Sequence, residues 1–181
     1  MDSQKVVFTG LGAVTPIGIG VDAFWQGLLA GKNGIARVSH FDPAGYRSQL
    51  AAEVKDFTPL EWIDKKAIER MDRFTQFAVS AAAMAMKDAG RESVAFDAER
   101  AGVIIGSGTG GSATIEDGHA RLQEKGPNAI TPFFVSKLLI NMAACMVSIR
   151  FGLKGPLSAP SVACSTGANA IGDALRILQR G

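Results

Sequence analysis

Apolar residues along the chain fall into short unbroken runs and into longer runs spaced three or four apart, divided by glycine and proline. The unbroken runs read as buried strands, and the spaced runs as helices with one face inward. Lys5 to Thr9 is β-rich and predicts a strand, followed by a tight loop at Gly10-Leu11-Gly12 and Thr15-Pro16. Asp22 to Ala30 predicts a helix with Asp22 as N-cap and Gly31 as its stop. Ala51 to Val54 reads as a short strand, and Trp62 to Arg70 as a short basic helix. Asp72 to Ala89 predicts a longer helix closed by Gly90, with Phe74, Phe77, Ala81, Met84 and Ala85 near one face. Ala101 to Ile105 predicts a buried strand. A glycine loop, a helix from about Ala113 to Glu124, a break at Gly126-Pro127-Asn128 and a helix from Ser136 to Arg150 follow. A last strand begins near Gly155, and Ala168, Ile171, Leu175 and Leu178 carry helical spacing beyond Cys164. Strands alternating with helices argue for an α/β fold with a largely parallel sheet.

Composition narrows the class. A chain of 181 residues, 47% hydrophobic and 20% charged, is that of a soluble globular domain with a sizeable core. A formal net charge of +2 is too small to argue for nucleic acid or an anionic membrane. Two cysteines indicate no disulfide framework and fit a reducing cytoplasm. The first residues lack the basic region of a signal peptide, and the longest apolar stretch, Leu138 to Ile149, is too short to span a bilayer.

The candidate chemistry centres on Cys164. It stands where the last strand gives way to the last helix, and a sharp strand-to-helix turn pushes the side chain at the bend outward. There it meets the positive helix end and backbone N–H groups without intrahelical partners. Gly167, Ala168, Ala170, Gly172 and Ala174 keep that helix thin. A helix end contributes about 0.3–1 kcal/mol, too little to ionise a thiol fully at pH 7. A histidine or another cation has to complete such a site. The bland alternative is a small buried cysteine, but so many Gly, Ala, Ser and Thr neighbours are poor core filler. Cys145, among Met142, Ala143, Ala144, Met146 and Val147, reads as packing.

Other constellations are weaker. Gly106, Gly108 and Gly111 have the spacing of a dinucleotide fingerprint after a strand and before a helix. No acidic residue ends a second strand about 20 residues on, so a tight structural turn is the stronger reading and a nucleotide-binding module the rival. His40 and His119 have no acidic or cysteine partner at ligand spacing, so no metal site is expected and both read as surface or capping residues. Lys65, Lys66, Arg70 and Arg73 alternate with Asp64, Glu69 and Asp72, as on a solvated, salt-bridged helix face.

Val162-Ala163-Cys164-Ser165-Thr166-Gly167-Ala168-Asn169-Ala170-Ile171-Gly172-Asp173-Ala174 resembles the active-site segment of the 3-oxoacyl-[acyl-carrier-protein] synthases, most of all the synthase II type. Val7-Phe8-Thr9-Gly10-Leu11-Gly12, Met71-Asp72-Arg73-Phe74, Ile105-Gly106-Ser107-Gly108, Pro132-Phe133-Phe134 and Asn141-Met142 extend the likeness in order. The resemblance implies a thiolase-like fold of five layers, αβαβα. Residues 1–181 would be its N-terminal half, ending just after the nucleophile helix at about half a member's length. It implies that Cys164 takes an acyl group from acyl-carrier protein and that its backbone N–H is one oxyanion donor. The catalytic histidines, the lysine and the second donor would lie in the other half. Gly108 and Thr109 would border the acyl pocket, with Thr109 where many members carry a branched apolar gate residue. Phe134 would reach into the partner subunit's pocket in a homodimer, its plain alternative being core. Lys65, Lys66 and Arg70 would dock the acidic carrier protein bearing acyl and malonyl groups. No cofactor is implied, and the setting is cytoplasmic. The alternative is a non-catalytic fragment or dimerisation scaffold of the same fold. With one side of the Cys164 helix uncovered, the 181 residues alone are expected to be inactive and to associate.

Overall fold

The computed structural model describes residues 5–91 and 96–181. In chain order it contains β1 (Val14–Thr15), β2 (Gly18–Ile19), α1 (Val21–Leu29), β3 (Ile35–Arg37), β4 (Leu50–Ala52), α2 (Lys65–Ile68), α3 (Arg73–Asp88), β5 (Val103–Ile104), α4 (Ser112–Lys125), α5 (Phe134–Leu138), α6 (Met142–Phe151), β6 (Leu157–Ser158) and α7 (Thr166–Arg180). Among the described residues the strands pair two by two. β1 with β2 and β3 with β4 are antiparallel, and β5 with β6 is parallel, Val103 opposite Leu157 and Ile104 opposite Ser158. The expected parallel sheet is thus represented by one pair. The expected strand at Lys5–Thr9 has no ladder partner among the described residues, and Val7 and Phe8 stand exposed. What fixes this segment is glycine: a Cβ on Gly10 or Gly12 would collide with the Ala85 or Ala81 carbonyl of α3. The Leu11 N–H also donates to Asp88 Oδ2 at 2.8 Å.

Local punctuation behaves as the sequence reads. Asp72 caps α3, its Oδ1 accepting the Phe74 N–H at 3.2 Å. Gly31 and Gly90 follow α1 and α3 with φ of +62° and +65°, the left-handed stop that glycine adopts without a Cβ penalty. Asp22 is a departure: Gly20 is the N-cap of α1, and Asp22 sits in the first turn, favourable to the helix dipole. The expected helix over Trp62–Arg70 contracts to α2, preceded by a 3₁₀ turn at Pro59–Glu61 and capped by Asp64, which accepts the Ala67 N–H.

Long-range contacts redraw two helices. α3 turns Thr75, Val79, Ser80, Ala83 and Met84 inward, so only Met84 of the expected face is buried. The buried side lies against α6, whose Ala143, Ala144 and Val147 let the axes approach. Phe77 instead meets Phe57 edge-on, ring centroids 5.0 Å apart. Ile63, Met71, Val79, Val103, Ala144 and Val147 form the core. A buried valine of this kind contributes about 1.5–3 kcal/mol. The single helix expected over Ser136–Arg150 is broken into α5 and α6, because the Leu138 carbonyl accepts the Gly111 N–H at 3.0 Å instead of bonding along the helix. α7 buries Thr166 and Ala170 and leaves its apolar stripe in the open, with Ile171 57% and Leu178 53% exposed. Among the described residues, no helix is long and apolar enough to cross a membrane.

Candidate functional site

The turn that carries Cys164 is held by its neighbours. Ala163–Ser165 forms one 3₁₀ turn between β6 and α7. Ala163 has φ +48°, the positive value among described non-glycine residues, where a Cβ costs about 1–2 kcal/mol. Such strain persists only where the surroundings over-determine it. Thr166 supplies that constraint. Its buried hydroxyl donates to the Ala163 carbonyl at 2.8 Å and accepts the Val162 N–H at 2.9 Å. The Ser165 N–H donates to the Val162 carbonyl at 3.1 Å. The bend therefore falls at Ala163, one residue before the cysteine.

Cys164 itself is exposed, so the buried-cysteine alternative does not describe it. Among the described residues its backbone N–H has no acceptor and no side chain hydrogen-bonds its thiol. Together they offer a nucleophile and an adjacent donor on one exposed turn.

The glycine loop is locked against this turn. A Cβ on Gly106 would collide with the Pro160 carbonyl and the Thr166 methyl. The Ser161 hydroxyl donates to the Gly108 carbonyl at 3.3 Å. At the far end, Gly110 has φ +64° and a Cβ there would stand 2.5 Å from the Leu138 carbonyl; one on Gly111 would stand 2.5 Å from that of Lys137. The loop's close approaches are thus taken by the chain's own backbone, as in a structural turn. Gly108 has nothing within 4 Å of a Cβ position, and Thr109 is exposed.

The remaining expected residues lie apart from the thiol. Phe134 opens α5 and rests on Gly118 of α4, where a Cβ would meet its ring. With Arg121, Ile130 and Lys137 it lines an open cavity of about 270 Å³ to which Cys164 does not contribute. Lys65, Lys66 and Arg70 are exposed. The salt-bridged reading of that face fails: among the described residues the ion pairs are Lys55–Glu53 and Lys154–Glu99. Asp64 and Asp72 accept backbone N–H groups as helix caps, and among the described residues the three cations stand in solvent without a salt bridge. Arg70 stacks over Phe133 at 5.1 Å from the ring centroid. Arg73 is half-buried, donating to the Val54 carbonyl at 2.6 Å and lying over Phe77 at 5.0 Å.

His119 is exposed on α4. His40 belongs to a latch around Glu53. That carboxylate accepts the Ser39 hydroxyl at 2.7 Å, the Ser39 N–H at 3.0 Å and the His40 N–H at 3.3 Å. These donors, the Ser39 hydroxyl foremost, hold its pKa down at about 2, with the His40 charge adding to them and burial opposing. Cys145 accepts a long contact from Asn141 Nδ2 at 3.7 Å.

Two structural features beside the candidate site escaped the sequence reading. Thr166 follows the N-cap Ser165 and its hydroxyl bonds backward to Val162 and Ala163 rather than capping α7, so the helix-capping signal did not point to it. The bond from the Thr114 hydroxyl to Asp72 Oδ2 at 2.5 Å joins residues 42 apart, and no local pattern announces it.

Residues 3–181 match the family described as Beta-ketoacyl synthase, N-terminal domain. Over 179 residues the chain is 48% identical to 3-oxoacyl-[acyl-carrier-protein] synthase 2 of Staphylococcus aureus, covering 99% of this chain and 43% of that protein. A Synechocystis sp. protein of the same name is 42% identical over 181 residues, covering 100% and 44%. The fold superposes on the ishigamide ketosynthase/chain length factor with a TM-score of 0.87 at 30% identity, over 99% of this chain and 45% of that one. A beta-ketoacyl synthase from Burkholderia phymatum gives 0.80 at 30% identity, over 97% and 43%. The chain therefore spans less than half the length of the curated relatives it matches.

Proposed function

The chain belongs to the beta-ketoacyl synthase family, and on that premise we propose that it is the nucleophile-bearing part of a condensing acyltransferase of fatty-acid elongation. The Cys164 thiolate attacks the thioester carbonyl of an acyl-carrier protein. A new sulfur–carbon bond forms, the carrier's carbon–sulfur bond breaks, and the carrier sulfur leaves as thiolate. Malonyl-carrier protein then loses CO2, and the resulting carbanion attacks the acyl-enzyme carbonyl. Cys164 is expelled as thiolate, and a 3-oxoacyl-carrier product two carbons longer departs. The Cys164 N–H is one donor to the oxyanion of each tetrahedral intermediate. The histidines, lysine and second donor come from a following half of a five-layered, thiolase-like molecule. That half would also cover the open face of α7. Without it the 181 residues are inactive.

The single observation that carries this reading is the exposed Cys164 on a strained, hydroxyl-locked turn. Gly108 and Thr109, open beside that turn, border the acyl path, and Phe134 serves the pocket across a homodimer. Lys65, Lys66 and Arg70 attract the acidic carrier; their exposure, with no salt bridge at any of the three among the described residues, supports that role. The enzyme works in the cytoplasm. Intact mass after mixing the complete protein with a long-chain acyl-carrier thioester tests the first step. An acyl adduct that disappears in Cys164→Ala is the expected result; no adduct on the wild-type protein refutes it.

A further inference from the structure

We infer that Asp72 is a positioning residue which, through Thr114, fixes where the glycine loop stands relative to the Cys164 thiol; the inference rests on the acyl-enzyme reading above. A cap needs one oxygen, and Asp72 Oδ1 already serves the Phe74 N–H at 3.2 Å. Its second oxygen accepts the Thr114 hydroxyl at 2.5 Å, in the first turn of α4. The same Oδ2 lies 3.0 Å from where a Cβ on Gly111 would sit, at the residue where the loop becomes α4. One carboxylate therefore joins the start of α3, the start of α4 and the end of the loop. The loop's other end is pinned on the nucleophile turn by Gly106 against Pro160 and Thr166, and by the Ser161–Gly108 hydrogen bond. Between the two anchors stand Gly108 and Thr109, both exposed, in a turn closed by the Gly110 N–H donating to the Ser107 hydroxyl at 2.9 Å. Loosening the Asp72–Thr114 anchor leaves the Gly111 N–H on the Leu138 carbonyl as the far-end hold and lets the closed turn shift as a unit about it. The thiol stays where Thr166 holds it. The loss falls on substrates whose acyl chain has to pass the loop.

The test uses the complete protein with Thr114→Val, Thr114→Ser and Asp72→Ser. Valine removes the hydroxyl at nearly equal volume. Serine at 114 restores it. Serine at 72 keeps a helix cap but is too short to span to α4. Acyl adduct formation on Cys164 is followed by intact mass with a short-chain and a long-chain acyl-carrier thioester, beside alkylation by iodoacetamide. Thr114→Val and Asp72→Ser are expected to slow long-chain acylation by roughly tenfold to a hundredfold relative to short-chain acylation. Alkylation stays near the wild-type rate, and Thr114→Ser behaves as wild type. Equal slowing of both acyl chains and of alkylation would mark a merely structural bond and overturn the inference, as would wild-type acylation by Thr114→Val. A wild-type protein that takes up no acyl group would remove the acyl-enzyme reading and this inference with it.

Discussion

Thr166→Val isolates what holds the nucleophile turn. Valine keeps a methyl group facing Gly106 and removes the hydroxyl that bonds both the Ala163 carbonyl and the Val162 N–H. Losing one hydrogen bond costs about 0.5–1.5 kcal/mol, and more when the freed group stays buried. Val162 and Ala163 are exposed, so their freed backbone groups reach water and the two bonds together cost about 1–2 kcal/mol. The left-handed Ala163 stores about 1–2 kcal/mol, and relaxation of the turn returns part of it. The net loss of stability is then about 1 kcal/mol. Function suffers more, because the relaxed turn swings Cys164 and its N–H off line. Acylation should slow by roughly tenfold to a hundredfold. Ala163→Gly in the same background removes the strain that drives relaxation and should recover much of that rate, whereas Thr166→Ser keeps the hydroxyl and should match wild type. Adduct formation by intact mass and a urea denaturation midpoint read the two quantities separately. Wild-type acylation by Thr166→Val, or an Ala163→Gly/Thr166→Val double variant no faster than the single one, refutes the reasoning.

Gly106→Ala should destabilise the fold by about 1–3 kcal/mol, because its Cβ meets a backbone carbonyl and a buried threonine that cannot yield; an unchanged denaturation midpoint would count against the packing described. Glu53 is lowered from 4.5 to about 2, so its contribution is complete above pH 4.5 and is lost as pH falls toward 2. The thermal stability gap between wild type and Glu53→Gln should accordingly be constant from neutral pH down to about 5 and close below it; a gap that widens in acid contradicts the latch. Reversing charge in Lys65→Glu/Lys66→Glu/Arg70→Glu should slow acylation from carrier-bound thioesters and leave small-molecule thioesters untouched, as compared by initial rates. Equal loss on both substrates would assign these residues to folding.

Range of interaction decides what the sequence alone could say. Asp72 and Gly90 bracket α3 correctly, because a cap and a left-handed stop are settled by residues within four positions of the helix end. The exposed turn at Cys164 was legible for a similar reason: its setting of small residues before an apolar stripe is local. The errors share one cause. Lys5–Thr9 carries strand composition but finds no partner among the described residues. The face of α3 is chosen by α6, and the break after α5 by a glycine 27 positions upstream of Leu138, Gly111, whose N–H takes the carbonyl the helix needed. That break is also part of the site. The Leu138 carbonyl that leaves the helix is the one packed on Gly110 and bonded to Gly111. The same contact thus ends α5 and anchors the loop beside the thiol. A continuous helix over Ser136–Arg150 would satisfy that carbonyl internally and leave the loop's last turn without its acceptor. Periodicity favours the continuous helix; the buried Gly111 N–H, which has to find a partner, decides against it.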